Sequence, residues 1–303
     1  MHPGVLSAAL AYMLWGLFPL YFKPLGGVPS LDVVAHRVVW SAAFVLVVLA
    51  TRGRWGWLRD VLRRPKVLGA FAASALLLSA NWLVYVWAVA NGHVVDASLG
   101  YFITPLVNVL LGCTVLHERL RPLQWTAVAT AGAGVLWLAL QAGQWPWVAL
   151  VLGCSFGAYG LLRKTAVLGA LEGLALETLL LVPPALAWLA WAAWRGGGGF
   201  ASADGATQAL LVGLGPVTAI PLLLFAAGAR RVRMATLGLL QYLAPSIQLV
   251  LGVWLFHESF TPMRTAGFCL IWAALLIYSI DGWRAGDPRQ RAAGPASGID
   301  TKT

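Results

Sequence analysis

Charged side chains are scarce in this chain. Asp, Glu, Lys and Arg make up only 11% of the 303 residues, against roughly a quarter in an ordinary soluble domain. So little polar surface cannot cover a water-soluble body of this size. A disordered chain is excluded for the opposite reason, because 60% of the residues are hydrophobic and disorder needs few apolar residues. Cysteine is scarce as well: Cys113, Cys154 and Cys269 each lie inside an apolar run. Without paired loop cysteines, a disulfide-stapled scaffold is excluded. Residues 1–4 lack the basic start of a secretory signal, so the segment that follows is expected to be a retained first helix.

Enzyme signatures are missing too. No phosphate-binding loop and no Gly-rich dinucleotide fingerprint occurs. His117-Glu118 and His257-Glu258 begin like a zinc-protease motif, but the fifth positions are Arg121 and Thr261. Both pairs fall at ends of apolar runs on opposite sides of the expected membrane, so a shared metal site is excluded. No metal and no cofactor is expected. The formal charge of +10 does not point to nucleic acid, because the basic residues are scattered between apolar runs rather than gathered in one patch.

What the chain has in abundance is apolar length. Runs bounded by turn or charge signals cover about 3–22, 31–51, 67–89, 94–116, 123–140, 145–162, 171–194, 207–228, 234–256 and 263–280. One membrane-spanning helix needs about 20 such residues. Barrel strands need about half that length and alternate with period two, which these runs do not. The reading is therefore an all-α polytopic membrane protein with ten transmembrane helices. Basic residues fix its orientation. Arg52, Arg54, Arg59, Arg63, Arg64, Lys66, Arg119, Arg121, Arg163, Lys164, Arg230, Arg231 and Arg233 fall in alternate connections, with more in the tail, while only Lys23 and Arg195 occupy the others. Positive residues stay cytoplasmic, which places both termini inside. Residues 284–303, rich in Gly, Pro and charge, read as a disordered cytoplasmic tail.

The chain also repeats itself. Residues 97–122 read ASLGYFITPLVNVLLGCTVLHERLRP and residues 235–262 read ATLGLLQYLAPSIQLVLGVWLFHESFTP. Leu99-Gly100 matches Leu237-Gly238; after a two-residue insertion, Pro105, Gly112, His117, Glu118 and Pro122 match Pro245, Gly252, His257, Glu258 and Pro262. Farther upstream, Trp15-Gly16 is similar to Phe156-Gly157. The halves, 1–140 and 141–283, hold five expected helices each. Because five is odd, the second half enters the membrane with opposite polarity, giving two inverted five-helix repeats. Such an architecture suits alternating access.

Within the repeats, Tyr101, Pro105 and Asn108 stand at i, i+4 and i+7, and Gln241, Pro245 and Gln248 repeat that spacing. Each trio lies on one helical face, and each proline is expected to kink its helix. Two readings of this polar stripe stand, cavity lining and interhelical hydrogen bonding; its doubling favours the first. Arg37 and Glu177 lie within expected spans, where charge is costly and usually functional. Each sits roughly 9 Å deep from opposite sides, which leaves them too far apart to pair directly. Snorkelling to the interface competes as an account of Arg37. Glu177, too short to snorkel, is the strongest candidate for a proton- or substrate-responsive group. Trp15, His36, Asn81, Tyr85 and Tyr242 complete the candidate cavity residues.

The segments Ala35-His36-Arg37 with Trp40-Ser41, Asn81-Trp82-Leu83, Trp87-Ala88-Val89, Asn91-Gly92-His93 and Ala97 to Phe102 with Pro105-Leu106 carry a family likeness. Glu177-Thr178-Leu179 with Pro183, and Leu239-Leu240-Gln241-Tyr242 with Pro245-Ser246, continue it in the second half. In these stretches the sequence resembles the RarD-type permeases of the EamA family, in the drug/metabolite transporter superfamily. The resemblance implies an inner-membrane permease of ten helices with small-molecule transport as its activity; the family's label of chloramphenicol sensitivity implies a drug among its substrates. The expected partners are a small organic solute and the lipid bilayer, with a homodimer left open and nucleic acid excluded. Two other readings compete: a membrane-embedded ligand sensor or assembly partner without net transport, and an intramembrane enzyme. The enzyme would need a clustered nucleophile and base, which the sequence does not place on one face at one depth.

Overall fold

The computed structural model describes residues 3–53, 55–90, 94–141, 147–196, 200–255 and 262–285. Among the described residues every regular element is helical. The long apolar segments form α1 (Pro3–Gly16), α3 (Ser30–Arg52), α5 (Pro65–Ala90), α6 (Val94–Thr114), α7 (Pro122–Gln141), α8 (Trp147–Thr165), α9 (Ala170–Trp194), α10 (Gly205–Ala229) and α13 (Pro262–Ala285). Shorter pieces are α2 (Phe18–Phe22), α4 (Gly56–Leu62), α11 (Met234–Gln241) and α12 (Leu243–Val250). Among the described residues six stretches are long and apolar enough to cross a membrane: Pro3–Leu25, Ser30–Arg52, Pro65–Tyr85, Pro122–Leu140, Ala170–Trp194 and Gly205–Ala229. The protein is a multi-pass, all-helical membrane protein. The expected tail beyond residue 285, and His257-Glu258, lie outside the described residues.

Helices form here because a backbone in lipid must satisfy its own polar groups. Their ends are set locally. Asp204 precedes α10 and accepts a bond from the Thr207 amide at 3.1 Å; that bonding to Thr207 holds its carboxyl below the usual range. Gly53 ends α3 in the left-handed region at φ 61°, a conformation that suits glycine. The connection after α3, expected only as a basic loop, includes the turn of helix α4, whose Val61 is buried against Phe71 and Leu176.

Pro105 lies inside the single helix α6. In the second half the helix breaks at Tyr242, between α11 and α12. Pro245 has no amide to bond the Gln241 carbonyl four residues back, so the discontinuity falls one turn before the proline. A π-turn at Leu251–Leu255 follows.

Helix pairing is systematic. α1 packs on α10, as α8 packs on α5; α3 packs on α10, as α9 packs on α5; α1 packs on α12, as α8 packs on α6. α3 pairs with α9, α6 with α11, and α7 with α13. At single residues, a Cβ added to Gly16 would stand 2.8 Å from Ile247, and one added to Gly157 would stand 2.6 Å from Val107. Glycine lets both pairs of backbones approach closely. An aromatic core of Tyr12, Trp15, Phe156, Tyr159 and Phe225 joins α1, α8 and α10, with Tyr159 stacked on Phe225 at 5.9 Å between centroids.

Candidate functional site

The expected site residues fall into three separate groups. The first surrounds Arg37 on α3. Its guanidinium is held by neighbouring helices: Nε donates to Thr218 Oγ1 on α10 at 2.8 Å, and Cζ lies 4.2 Å from the Trp82 ring centroid on α5. Phe18 and Phe22 on α2 stand farther off, at 5.6 and 5.9 Å. Tyr85 and Tyr101 lie within its electrostatic reach and meet each other edge to face. Their rings are 6.0 Å apart, and they keep 39% and 36% of their surface exposed. His36, the residue before Arg37, is buried and faces Phe200 at 5.4 Å. His36 and Asp32 line a cavity of about 290 Å³ with Pro24, Phe200 and Leu211. Asp32 also accepts a bond from Trp188 Nε1 at 2.9 Å.

The second group lies where α6 crosses α11. Asn108 Nδ2 donates to Gln241 Oε1 at 3.1 Å, with the two residues only 1% and 4% exposed. The stripe therefore joins these two amides to each other. Tyr242, fully buried, donates its hydroxyl to the Phe102 carbonyl at 3.2 Å, and the two rings stack. Gln248 donates to the Trp15 carbonyl at 3.1 Å, and Asn81 donates to the Leu152 carbonyl and to Ser155 Oγ, each at 3.0 Å. These bonds tie α12 to α1 and α5 to α8.

The third group surrounds Glu177 on α9, which is 0% exposed. Ser74 of α5 donates to its Oε1, Arg163 of α8 places Nη1 3.6 Å from the same oxygen, and the Tyr159 side chain stands beside it. Arg163 is 1% exposed and also bonds the Ala170 carbonyl at 3.0 Å. Ser74 also lines a cavity of about 240 Å³ with Lys66, Phe71 and Thr165. Arg37 and Glu177 thus belong to separate groups.

Sequence reasoning missed Thr218, Ser74, Tyr159 and Arg163 as members of these groups. Arg163 was assigned to a cytoplasmic connection; the structure instead places it in α8, buried. Its neighbour Lys164 made the pair look like an ordinary helix end, and no local pattern separates a buried guanidinium from a solvated one. Glu118, dismissed as a metal ligand, has a clear structural task. Its carboxylate accepts from the Met234 and Ala235 amides at 2.8 and 3.4 Å, satisfying free donors at the start of α11. Among the described residues no cluster of metal-binding side chains occurs.

The model of the EamA-like transporter family matches residues 2–140. An uncharacterized transporter of Pseudomonas aeruginosa is 49% identical, covering 94% of this chain and 96% of its own. Protein RarD of Streptomyces exfoliatus is 48% identical, covering 93% of this chain and 89% of its own. A crystal structure with 21% sequence identity superposes at a TM-score of 0.70, covering 94% of this chain and 99% of that one. This last likeness is one of fold.

Proposed function

Because this chain belongs to the EamA-like transporter family as a RarD-type permease, we propose that it is a secondary transporter moving a small organic solute by alternating access. On this reading ten transmembrane helices form two inverted five-helix repeats, residues 1–140 and 141–283, around a central cavity. The protein resides in the inner (plasma) membrane with both termini cytoplasmic. It performs no covalent chemistry, and its driving force is a gradient.

The observation that carries this reading is the exchange of helix contacts between halves. Replacing each helix by its counterpart turns α1–α10 into α8–α5 and α3–α10 into α9–α5, both of which exist. The Gly16–Ile247 approach becomes Gly157–Val107 in the same way. Two halves that make equivalent contacts in opposite orientations have two arrangements of comparable energy, one open to each side.

The candidate residues take different parts. Arg37, Tyr85 and Tyr101, with Trp15 and His36 on the same side, face the solute. Asn81, Asn108, Gln241, Tyr242 and Gln248 hold the crossing helices around it, with Pro105 and Pro245 as the points where α6 and α12 yield. Glu177 responds to protons from the inner side. Its donor Ser74 lines the inner cavity, which supplies a route for a proton to a carboxylate that is itself out of contact with water.

Flux into proteoliposomes tests the proposal. Wild-type protein is expected to show counterflow of its solute, with a rate that depends on pH. Glu177→Gln is expected to abolish that pH dependence. Ligand binding without counterflow would place the protein among sensors instead. Intact pH-dependent flux in Glu177→Gln would remove Glu177 from the mechanism.

A further inference from the structure

The cations that meet the helix bundle are not treated alike. Arg163 faces Glu177, Arg121 pairs with Asp281, and Lys164 stands 4.0 Å from Glu118. Arg37 has no such partner: among the described residues no carboxylate meets it. Its Nε is used by Thr218, while neither terminal nitrogen has a protein acceptor among the described residues. Those two nitrogens form the edge of the guanidinium that matches a carboxylate with parallel hydrogen bonds. An unpaired charge inside a candidate membrane span is costly to keep, and the chain keeps it.

The surroundings narrow the ligand. Trp82 lies against the guanidinium face, with Phe18 and Phe22 nearby. Tyr85 and Tyr101 add two partly exposed rings on the same site. These walls suit a flat apolar body and place hydroxyls near it. A phosphate ester, carrying nearly two charges and three acceptor oxygens, would leave much of its charge unmatched there. A single carboxylate is matched by a single guanidinium.

We infer that the transported solute is an organic monocarboxylate with a flat, apolar body, its carboxylate bound by the free edge of Arg37 and its body against Trp82, Tyr85 and Tyr101. This inference rests on the transporter reading for the word transported, but the binding itself is tested separately.

The test is calorimetric titration of the full chain in lipid nanodiscs at pH 7, where carboxylates are ionised. The probes are phenylacetate and indole-3-acetate, each against its amide and against the matching amine. Each carboxylate is expected to bind at least about tenfold tighter than its amide, the scale set by truncating a buried charge-paired contact. This comparison uses wild-type protein, so a poorly folded variant does not confuse it. Arg37→Gln should erase the preference, and Arg37→Lys, a point charge without the fork, should keep part of it. Equal binding of acid and amide, a preference that survives in Arg37→Gln, or no binding of either carboxylate would overturn the inference. Counterflow on the same protein separates the two readings. Carboxylate binding without counterflow removes transport and leaves the Arg37 site standing. Counterflow of amines or neutral solutes without carboxylate preference does the reverse.

Discussion

Arg163 and Glu177 show how much a buried polar pair depends on both members. Neither reaches solvent, and each has other polar neighbours to satisfy part of its demand, Ser74 for the acid and the Ala170 carbonyl for the base. Removing one partner leaves the other charge buried without compensation, a loss of about 3–5 kcal/mol in comparable cases. Arg163→Gln is therefore expected to lower the thermal midpoint of detergent-solubilised protein sharply. Adding Glu177→Gln to it should restore much of the loss, because a neutral pair no longer strands a charge. A double variant as unstable as Arg163→Gln alone would show that the ion pair is not what Arg163 contributes. Glu177 was legible in the sequence because a short acidic side chain inside an apolar run has few innocent explanations. Its partner was not, because Arg163 stands next to Lys164 at a helix end, where basic residues ordinarily report only orientation.

Helices were the easiest feature to read, since the length and apolarity of the runs leave few other structures in lipid. The break at Tyr242 was also foreshadowed, through Pro245. The pairing of helices was not legible from any single run; it depends on which faces carry small residues, and those faces appear only when two segments are placed together. Gly157 and Gly16 are the clearest cases. A methyl group at Gly157 would meet Val107 at 2.6 Å, closer than van der Waals contact allows, so α8 and α6 would have to separate. Overpacking of this kind costs about 1–3 kcal/mol. Gly157→Ala is expected to lower the thermal midpoint, and Val107→Ala in the same chain to recover part of the loss. Gly16→Ala with Ile247→Ala should behave alike. The stripe of Asn108 and Gln241 reads differently at this scale than it did along the sequence. Periodicity placed each residue on a polar face, but only the crossing of α6 and α11 brings the two amides to 3.1 Å.

The arrangement of the whole chain makes the broadest prediction. Single cysteines introduced at His2, Ser202 and Ser297, in a chain whose three native cysteines are serine, report orientation by labelling in intact cells. Only Ser202→Cys is expected to react with an impermeant reagent from outside; the other two should react after permeabilisation. Labelling of His2→Cys and Ser297→Cys from different sides would contradict the inverted repeat. The contact between Phe102 and Tyr242 carries a consequence of that repeat. The two residues are 140 positions apart, the offset at which Pro105 matches Pro245, so each meets its own counterpart in sequence. In an ancestor made of two identical separate chains, one codon would have had to serve both sides of this contact. Within a single chain the two positions are encoded separately: one side keeps a plain phenyl ring, while the other carries the hydroxyl that reaches across to the Phe102 backbone.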